Sequence, residues 1–445
     1  MDRLSSAIAD LVTAASIERG SLIGLSVPNG PGFIAGFLGL RRAGQAPVML
    51  DSSAPDEDRR RTMTALGAAA VLSCTTGWPT STGDFRLSRV DSAVRAPAPP
   101  DVAVVKLTSG STGAPRGVAL REEELLADED ALARTMGFRD TDRLLSVVPL
   151  SHSYGFTTLT LSAVVRGLTL VLPAAPGPFA PLDAARVLGA TIFPTVPAYL
   201  QALLKVSQPP SWPTHLRRVI SAGAMLPSQT AARFREVFGQ PVHAFYGSSE
   251  CGGICYDREG GGAERGVVGT PVEGVRISLA PIRSGDPTAG LVTVESAAVG
   301  STYLPDRDRR LADGRFETMD VATWQGGELA LQGRVDRVIN LRGRKVDPSE
   351  VERVIAELDG VAEAVVIAVA SADGGAEVVQ AVVASTADHL DYRRVAAWCR
   401  TRLAEHKVPR RIVFVDAIPR TSRGKVDLAA LLELARGKAT GAARG

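Results

Sequence analysis

Between residues 181 and 248 the spacing of apolar positions changes period repeatedly. Residues 181–188 carry helical spacing, and TIFPTVP (191–197) is a short apolar run that predicts a buried strand. AYLQALLKV (198–206) keeps its apolar residues to one helical face, and LRRVISAGA (216–224) predicts another strand. PSQTAARFREVF (227–238) reads as a helix opened by Pro227 and Ser228, and PVHAFYG (241–247) as a further strand. Strand, helix, strand in this rhythm needs crossover connections, and so a mostly parallel sheet covered on both faces. Ligands of such sheets lie in the loops that follow the carboxyl ends of strands.

Near residue 335 the texture changes. GRVDRVINLRGRKV (333–346) is basic and hairpin-like, and a helix is predicted from Pro348-Ser349-Glu350. Two apolar strands follow, EAVVIAV (363–369) and EVVQAVVAS (377–385), then a helix from Tyr392 to Leu403 and a last strand, RRIVFVD (410–416). The fold class expected is α/β, with a large N-terminal domain of parallel-sheet subdomains over residues 1–335. A small, mobile α+β domain is expected over residues 336–445. The cluster Gly260 to Gly262 is expected in an exposed loop.

Composition narrows the picture. The chain has 445 residues, 45% of them hydrophobic and 22% charged, with a formal net charge of +2. That is an ordinary globular composition, and the near-balance of charge gives no reason to expect nucleic acid as a partner. The most apolar segment, TTLTLSAVVRGLTLVL (157–172), is broken by Arg166, so it predicts a buried strand and helix rather than a membrane span. The start, with Asp2, Arg3 and Asp10, does not read as a secretory signal. Cys74, Cys251, Cys255 and Cys399 are too few and scattered for a disulfide framework, which fits a reducing, cytoplasmic location. The C-x-x-x-C pair Cys251/Cys255 lacks the further ligands of a zinc site. Arg59, Arg60 and Arg61, like Arg307, Arg309 and Arg310, are interleaved with or follow acids and are expected on solvated surface.

The most informative segment runs from Thr108 through Ser109, Gly110, Ser111, Thr112, Gly113, Ala114, Pro115 and Arg116 to Gly117 and Val118, after the apolar strand DVAVVKL (101–107). Glycines let the backbone approach a ligand, successive amides and hydroxyls donate to phosphate oxygens, and Arg116 adds positive charge. It is not a Walker A loop, because Gly110 leads to Pro115-Arg116 rather than to Gly-Lys-Ser/Thr.

Further segments follow in order: Pro149-Leu150-Ser151-His152-Ser153-Tyr154-Gly155, Ser221-Ala222-Gly223-Ala224-Met225-Leu226-Pro227 and Tyr246-Gly247-Ser248-Ser249-Glu250. Then come Phe316-Glu317-Thr318-Met319-Asp320, Gly333-Arg334-Val335-Asp336, the hairpin around Gly343 and Ser422-Arg423-Gly424-Lys425. In this order, from about residue 20 to residue 428, the sequence resembles the adenylate-forming superfamily of acyl-CoA and aryl-CoA synthetases, luciferases and peptide-synthetase adenylation domains.

The resemblance implies roles. Thr108, Ser109, Gly110, Ser111, Thr112, Gly113, Gly223, Ala224, Tyr246, Gly247, Ser248, Ser249, Asp320 and Arg334 would bind ATP, with Tyr246 stacked on adenine and Asp320 on the ribose hydroxyls. Glu250 would ligate Mg2+, a hard cation suited to carboxylate and phosphate oxygens. Lys425, Arg116 and His152 would be catalytic, Asp336 the hinge, and Gly343 would flank the thiol tunnel. His152, Ser153, Phe156, Val196, Ala222, Cys251 and Gly252 would line the acyl pocket. Arg116 stands where the family usually has Lys, and Met319 where it has Gly. Ser153 replaces the Asp that pairs with the α-amine in amino-acid-activating relatives, which argues against an α-amino acid.

The resemblance therefore implies an enzyme that adenylates a fatty or aryl carboxylic acid with ATP and transfers the acyl group to coenzyme A. Two alternatives stay open. One is an acyl-AMP ligase that loads the phosphopantetheine arm of a carrier protein. The other is a nucleotide-binding protein without turnover, against which the retention of Glu250, Asp320 and Lys425 together speaks.

Overall fold

The computed structural model describes residues 1–91, 98–99, 101–108, 116–173, 179–206, 208–282, 288–335, 339–341, 344–346, 348–369, 378–385, 390–403, 405–421 and 426–437. The chain forms two compact units. One comprises Met1–Ser278, Thr293–Thr318 and Trp324–Ala330, and the other Leu279–Val292, Met319–Thr323 and Leu331–Gly445.

The larger unit holds two seven-stranded sheets. The first contains β1 (Leu22–Ser26), β2 (Ala46–Met49), β3 (Ala70–Cys74), β4 (Phe85–Arg89), β5 (Val102–Thr108) and β6 (Arg116–Arg121), with Thr302–Leu304 on the outer edge of β6. Its centre, β5-β2-β1-β3, is parallel, and β6 and β4 add to it antiparallel. The second contains β7 (Arg143–Leu145), β8 (Thr169–Val171), β9 (Ile192–Thr195), β10 (Arg218–Ser221), β11 (Val242–Ser248), β12 (Gly252–Tyr256) and β13 (Thr270–Pro271). Strands β8, β7, β9, β10 and β11 run parallel, and β12 turns back antiparallel on β11.

The parallel strands are apolar because helices cover them. Helices Ala180–Leu188, Pro197–Leu204 and Ser228–Phe238 bury Leu182, Leu200, Leu203 and Phe234 against Phe193, Val219 and Val242. Trp212 sits among Phe193, Phe234 and Phe238 at ring separations of 5.4 to 6.3 Å. The strand and helix order read from residues 181–248 is the order found.

In the smaller unit, Val361–Val369, Val378–Ser385 and Arg411–Val415 form a three-stranded sheet with one antiparallel and one parallel pairing. Alternation sorts its side chains. Ala364, Val366, Val379, Ala381 and Val383 pack against Val351, Ile355, Val395 and Cys399 of helices Pro348–Ala356 and Tyr392–Arg400. Val365, Ile367, Val382 and Ala384 face Leu431 and Ala435 of a last helix, Leu428–Gly437. Ile339–Leu341 and Arg344–Val346 form the hairpin expected from the basic segment.

The segment 157–172 holds the helix and strand expected of it: a π-helical turn, Phe156–Leu161, runs into helix Ser162–Arg166 before β8. Three expectations are corrected. The helix expected to reach Leu403 ends at Arg400. Gly260, Gly261 and Gly262 are buried rather than exposed, because the amides of Gly260 and Gly262 donate to the buried carboxylate of Asp257 at 3.0 and 2.6 Å. In the 306–310 cluster, Arg307 and Arg309 are exposed as expected, but Asp308 and Arg310 are half-buried in an ion pair of 2.7 Å. Arg59, Arg60 and Arg61 do lie on a polar helix, Asp56–Ala65, each paired with an acid three residues earlier. Among the described residues no helix is long and apolar enough to cross a membrane.

Candidate active site

Several of the sequence motifs stand at the carboxyl ends of strands in the larger unit. Strands β5 and β6 are a hairpin whose last register pair is Thr108 and Arg116, with the Thr108 hydroxyl donating to the Arg116 carbonyl at 3.3 Å. The two residues therefore flank the segment 109–115. Ser109, Gly110, Ser111, Thr112 and Gly113 lie outside the described residues, as do Asp336, Gly343 and Lys425.

Arg116 is engaged by its surroundings. Its guanidinium lies 4.1 Å from the centre of the Tyr303 ring, and Nη1 is 3.3 Å from Asp308 Oδ2. Hydrogen bonds from Arg310 hold the Asp308 carboxyl well below the usual carboxylate range, so it is a permanent anion beside Arg116. A planar cation stacks on an aromatic face in a way an ammonium does not, which gives Arg at this position a structural reason.

Tyr303 links this group to the next motif. Its hydroxyl donates to Glu250 Oε1 at 3.0 Å. Burial, with the Glu250 carboxylate beside it, raises the phenol well above its ordinary value, so it stays a donor. Glu250 is half-buried and among the described residues makes no ion pair, and its amide is held by Ser248 Oγ at 3.2 Å. A half-buried carboxylate with an oxygen left over from its one tyrosine contact fits a hard divalent cation.

The acyl-side motif meets the same turn. Ser153 Oγ and Ser249 Oγ are 2.6 Å apart, although they come from segments 96 residues distant in sequence. His152 precedes the short helix Ser153–Gly155, and its Nδ1 lies 3.4 Å from the Tyr154 amide, which donates to it. Tyr154 is buried and donates to the Ile220 carbonyl on β10 at 3.1 Å. Asn29, absent from the sequence reading, fixes the lead-in to His152. Its Nδ2 donates to the Val148 carbonyl at 3.1 Å, and its Oδ1 accepts from the Leu150 amide at 2.9 Å. Only an asparagine before a glycine, Asn29-Gly30, hinted at it.

After β10, Ala222 is buried, while Gly223 and Ala224 are exposed, with Gly223 at φ 84° in the left-handed region. Val196 lies at the equivalent end of β9, half-buried and within reach of Gly223. Tyr246 is half-buried and Gly247 exposed at the end of β11. Phe156 and Cys251 are fully buried, and Phe156 meets Phe37 edge-on at 5.1 Å. All four cysteines are buried, and none is in a disulfide. In the smaller unit Asp320 and Arg334 form an ion pair of 3.1 Å.

Residues 1–304 match the family model described as AMP-binding enzyme. The chain belongs to the AMP-binding enzyme family. Residues 350–425 match the model of that family's C-terminal domain. Among curated relatives of this AMP-binding enzyme, a 3-[(3aS,4S,7aS)-7a-methyl-1,5-dioxo-octahydro-1H-inden-4-yl]propanoyl:CoA ligase of Mycobacterium tuberculosis is 30% identical over 80% of the chain and 70% of its own length. A probable CoA ligase, CCL9, of Humulus lupulus is 28% identical over 94% of the chain and 87% of its own. Among solved structures, the amide bond synthetase McbA of Marinactinospora thermotolerans superposes with a TM-score of 0.80 at 26% identity, covering 96% of the chain and 92% of McbA. The fold class and superfamily expected from the sequence are those found.

Proposed function

We propose that this AMP-binding enzyme is an ATP-dependent, AMP-forming acid–CoA ligase acting on an aliphatic or aromatic carboxylic acid. The observation that carries the reading is the convergence at the Glu250 turn: Ser249 meets the acyl-side Ser153, and Glu250 meets Tyr303, on which Arg116 stacks. Phosphate-side and acyl-side residues thus share one turn, as a reaction between a carboxylate and a nucleotide requires.

A carboxylate is a poor electrophile, and adenylation supplies it with a leaving group. One carboxylate oxygen bonds to the α-phosphorus of ATP as the bond to the pyrophosphate oxygen breaks. Arg116 and the loop hydroxyls offset charge on the phosphates. Glu250 would hold Mg2+, which supplies charge neutralisation at the departing pyrophosphate. Tyr303 orients Glu250, and Asp308 orients Arg116. Lys425 would contact the reacting carboxylate and phosphate in this step, and Gly343 would border the path of the thiol in the next. The thiolate of coenzyme A then bonds to the acyl carbon, and the carbon–oxygen bond to AMP breaks.

Small and apolar residues around Phe156, Val196, Ala222 and Cys251 suit an apolar acyl group. Ser153, lying on another serine rather than offering a carboxylate, gives an α-ammonium group no counter-charge.

The test is pyrophosphate release with ATP and Mg2+ across fatty, aryl and amino acids, with coenzyme A, a phosphopantetheinylated carrier protein or an amine as acceptor. Acyl-CoA from a fatty or aryl acid, reduced at least about 100-fold in Lys425→Ala, is the expected outcome. Product only with the carrier or the amine replaces the acceptor. No release with any acid removes the enzymatic reading.

A further inference from the structure

One lysine is enclosed by the larger unit. Lys106, near the end of the apolar strand β5, is 1% exposed. Its ammonium donates to Thr157 Oγ1 at 3.0 Å, lies 5.9 Å from the centre of the Phe156 ring and 3.8 Å from Asp128 Oδ2. Asp128, 2% exposed on the helix Glu122–Met136, accepts from the Gly253 amide at 3.0 Å. It packs so closely on Gly252 that a Cβ placed there would come within 2.2 Å of Asp128 Oδ1. Gly252 itself sits at φ +67°.

A buried ion pair is seldom worth more to stability than well-packed apolar residues of the same volume. Its reach is the distinctive feature. Lys106 lies two residues before Thr108 and the phosphate loop, Thr157 lies just beyond Phe156 on the acyl side, and Gly252 and Gly253 follow the Glu250 turn. One ammonium and one carboxylate thus link three segments that are remote from one another in sequence.

We propose that Lys106 and Asp128 are positioning residues for adenylation, setting the spacing of the phosphate-loop strand, the acyl-side turn and the Glu250 turn from behind. The proposal rests on the ligase reading above. Neither side chain contacts substrate. The ammonium holds the acyl-side turn through Thr157 and holds Asp128 electrostatically. Asp128 fixes the Gly252–Gly253 backbone, and so the direction in which Glu250 leaves β11.

Lys106→Met, Asp128→Asn and the double variant separate positioning from folding. Each single variant strands a buried charge and is expected to melt at lower temperature, whereas the neutral pair of the double variant melts closer to the wild type. If the pair positions the site, the double variant regains stability but not rate. ATP–pyrophosphate exchange per folded enzyme then stays about tenfold down in kcat, with KM for the acid little changed. ATP affinity, measured by direct titration, falls with it. An exchange rate and ATP affinity that return to wild-type values along with the melting temperature overturn the proposal. If the wild type shows no exchange with any acid, the ligase reading fails instead. The ATP titration of the double variant then decides about the pair alone.

Discussion

Tyr303 is the residue on which the phosphate side of the site turns. Its ring carries Arg116 and its hydroxyl carries Glu250, so a single side chain orients both a cation and a carboxylate. Tyr303→Phe keeps the stacking face and loses the hydrogen bond. It is expected to lower kcat for pyrophosphate exchange by about tenfold and to raise the Mg2+ concentration needed for half-maximal rate. An unchanged Mg2+ requirement would separate Glu250 from the metal. Asp308 gives a second expectation, in pH. Arg310 and Arg116 favour its ionised form in the folded protein, so its folded pKa lies below the unfolded value of about 3.9. That stability is present above the unfolded value and is lost as pH falls through the folded one. Asp308→Asn should therefore melt lower than wild type near neutrality and lose less between about pH 5 and pH 2. Parallel melting curves for the two proteins across that window would sink the idea. None of this was legible in the run of residues 305–310, where alternating charges read as solvated surface. A linear sequence does not say that Arg116 lies across from them.

At the scale of elements, the sequence was most readable where a pattern has one physical meaning. Short apolar runs between amphipathic helices predicted β9 to β11 and their crossovers, and the apolar runs 363–369 and 377–385 predicted two strands of the smaller unit's sheet. It misled where one residue type serves two ends. Gly260 to Gly262 suggested an exposed loop, yet here glycine serves close approach, letting backbone amides close around the carboxylate of Asp257. The outcome expected from Asp257→Ala is a loss of roughly 2–4 kcal/mol in denaturant-measured stability, since it leaves two buried amides without an acceptor. A loss below about 0.5 kcal/mol would mean the turn holds by packing alone. The helix Glu122–Met136 hid its content in the same way. Glu124, Asp128 and Glu129 look like the solvent face of EEELLADED, but each is buried and meets a cation: Arg121, Lys106 and Arg166. Lys106 likewise reads as an intruder in an apolar strand until its partner is known. Motif residues were recognisable because chemistry fixes their identity, whereas the residues behind them are fixed by neighbours remote in sequence.

At the scale of the whole molecule, among the described residues each apolar cluster of the smaller unit's three-stranded sheet draws on residues between Ile339 and Ala435. A fragment of residues 331–445 is accordingly expected to fold alone and to melt in one cooperative transition followed by circular dichroism. A broad, non-cooperative loss of signal would show that it needs residues 279–292 or 319–323, which belong to the same unit. The four cysteine thiols are distributed with equal consequence: every one is buried, including Cys251 directly after Glu250. Burial also pushes the thiols of Cys255 and Cys399 up, so that they are protonated at neutral pH. An acyl-adenylate is an indiscriminate acylating agent, and an accessible thiolate beside it would be a site of self-inactivation. Here every cysteine thiol is buried, Cys251 beside the acyl side included, which leaves no solvent-exposed thiolate to compete with an incoming nucleophile. It also follows that a thiol-reactive dye added to the native enzyme should report the consumption of coenzyme A with little background from the protein.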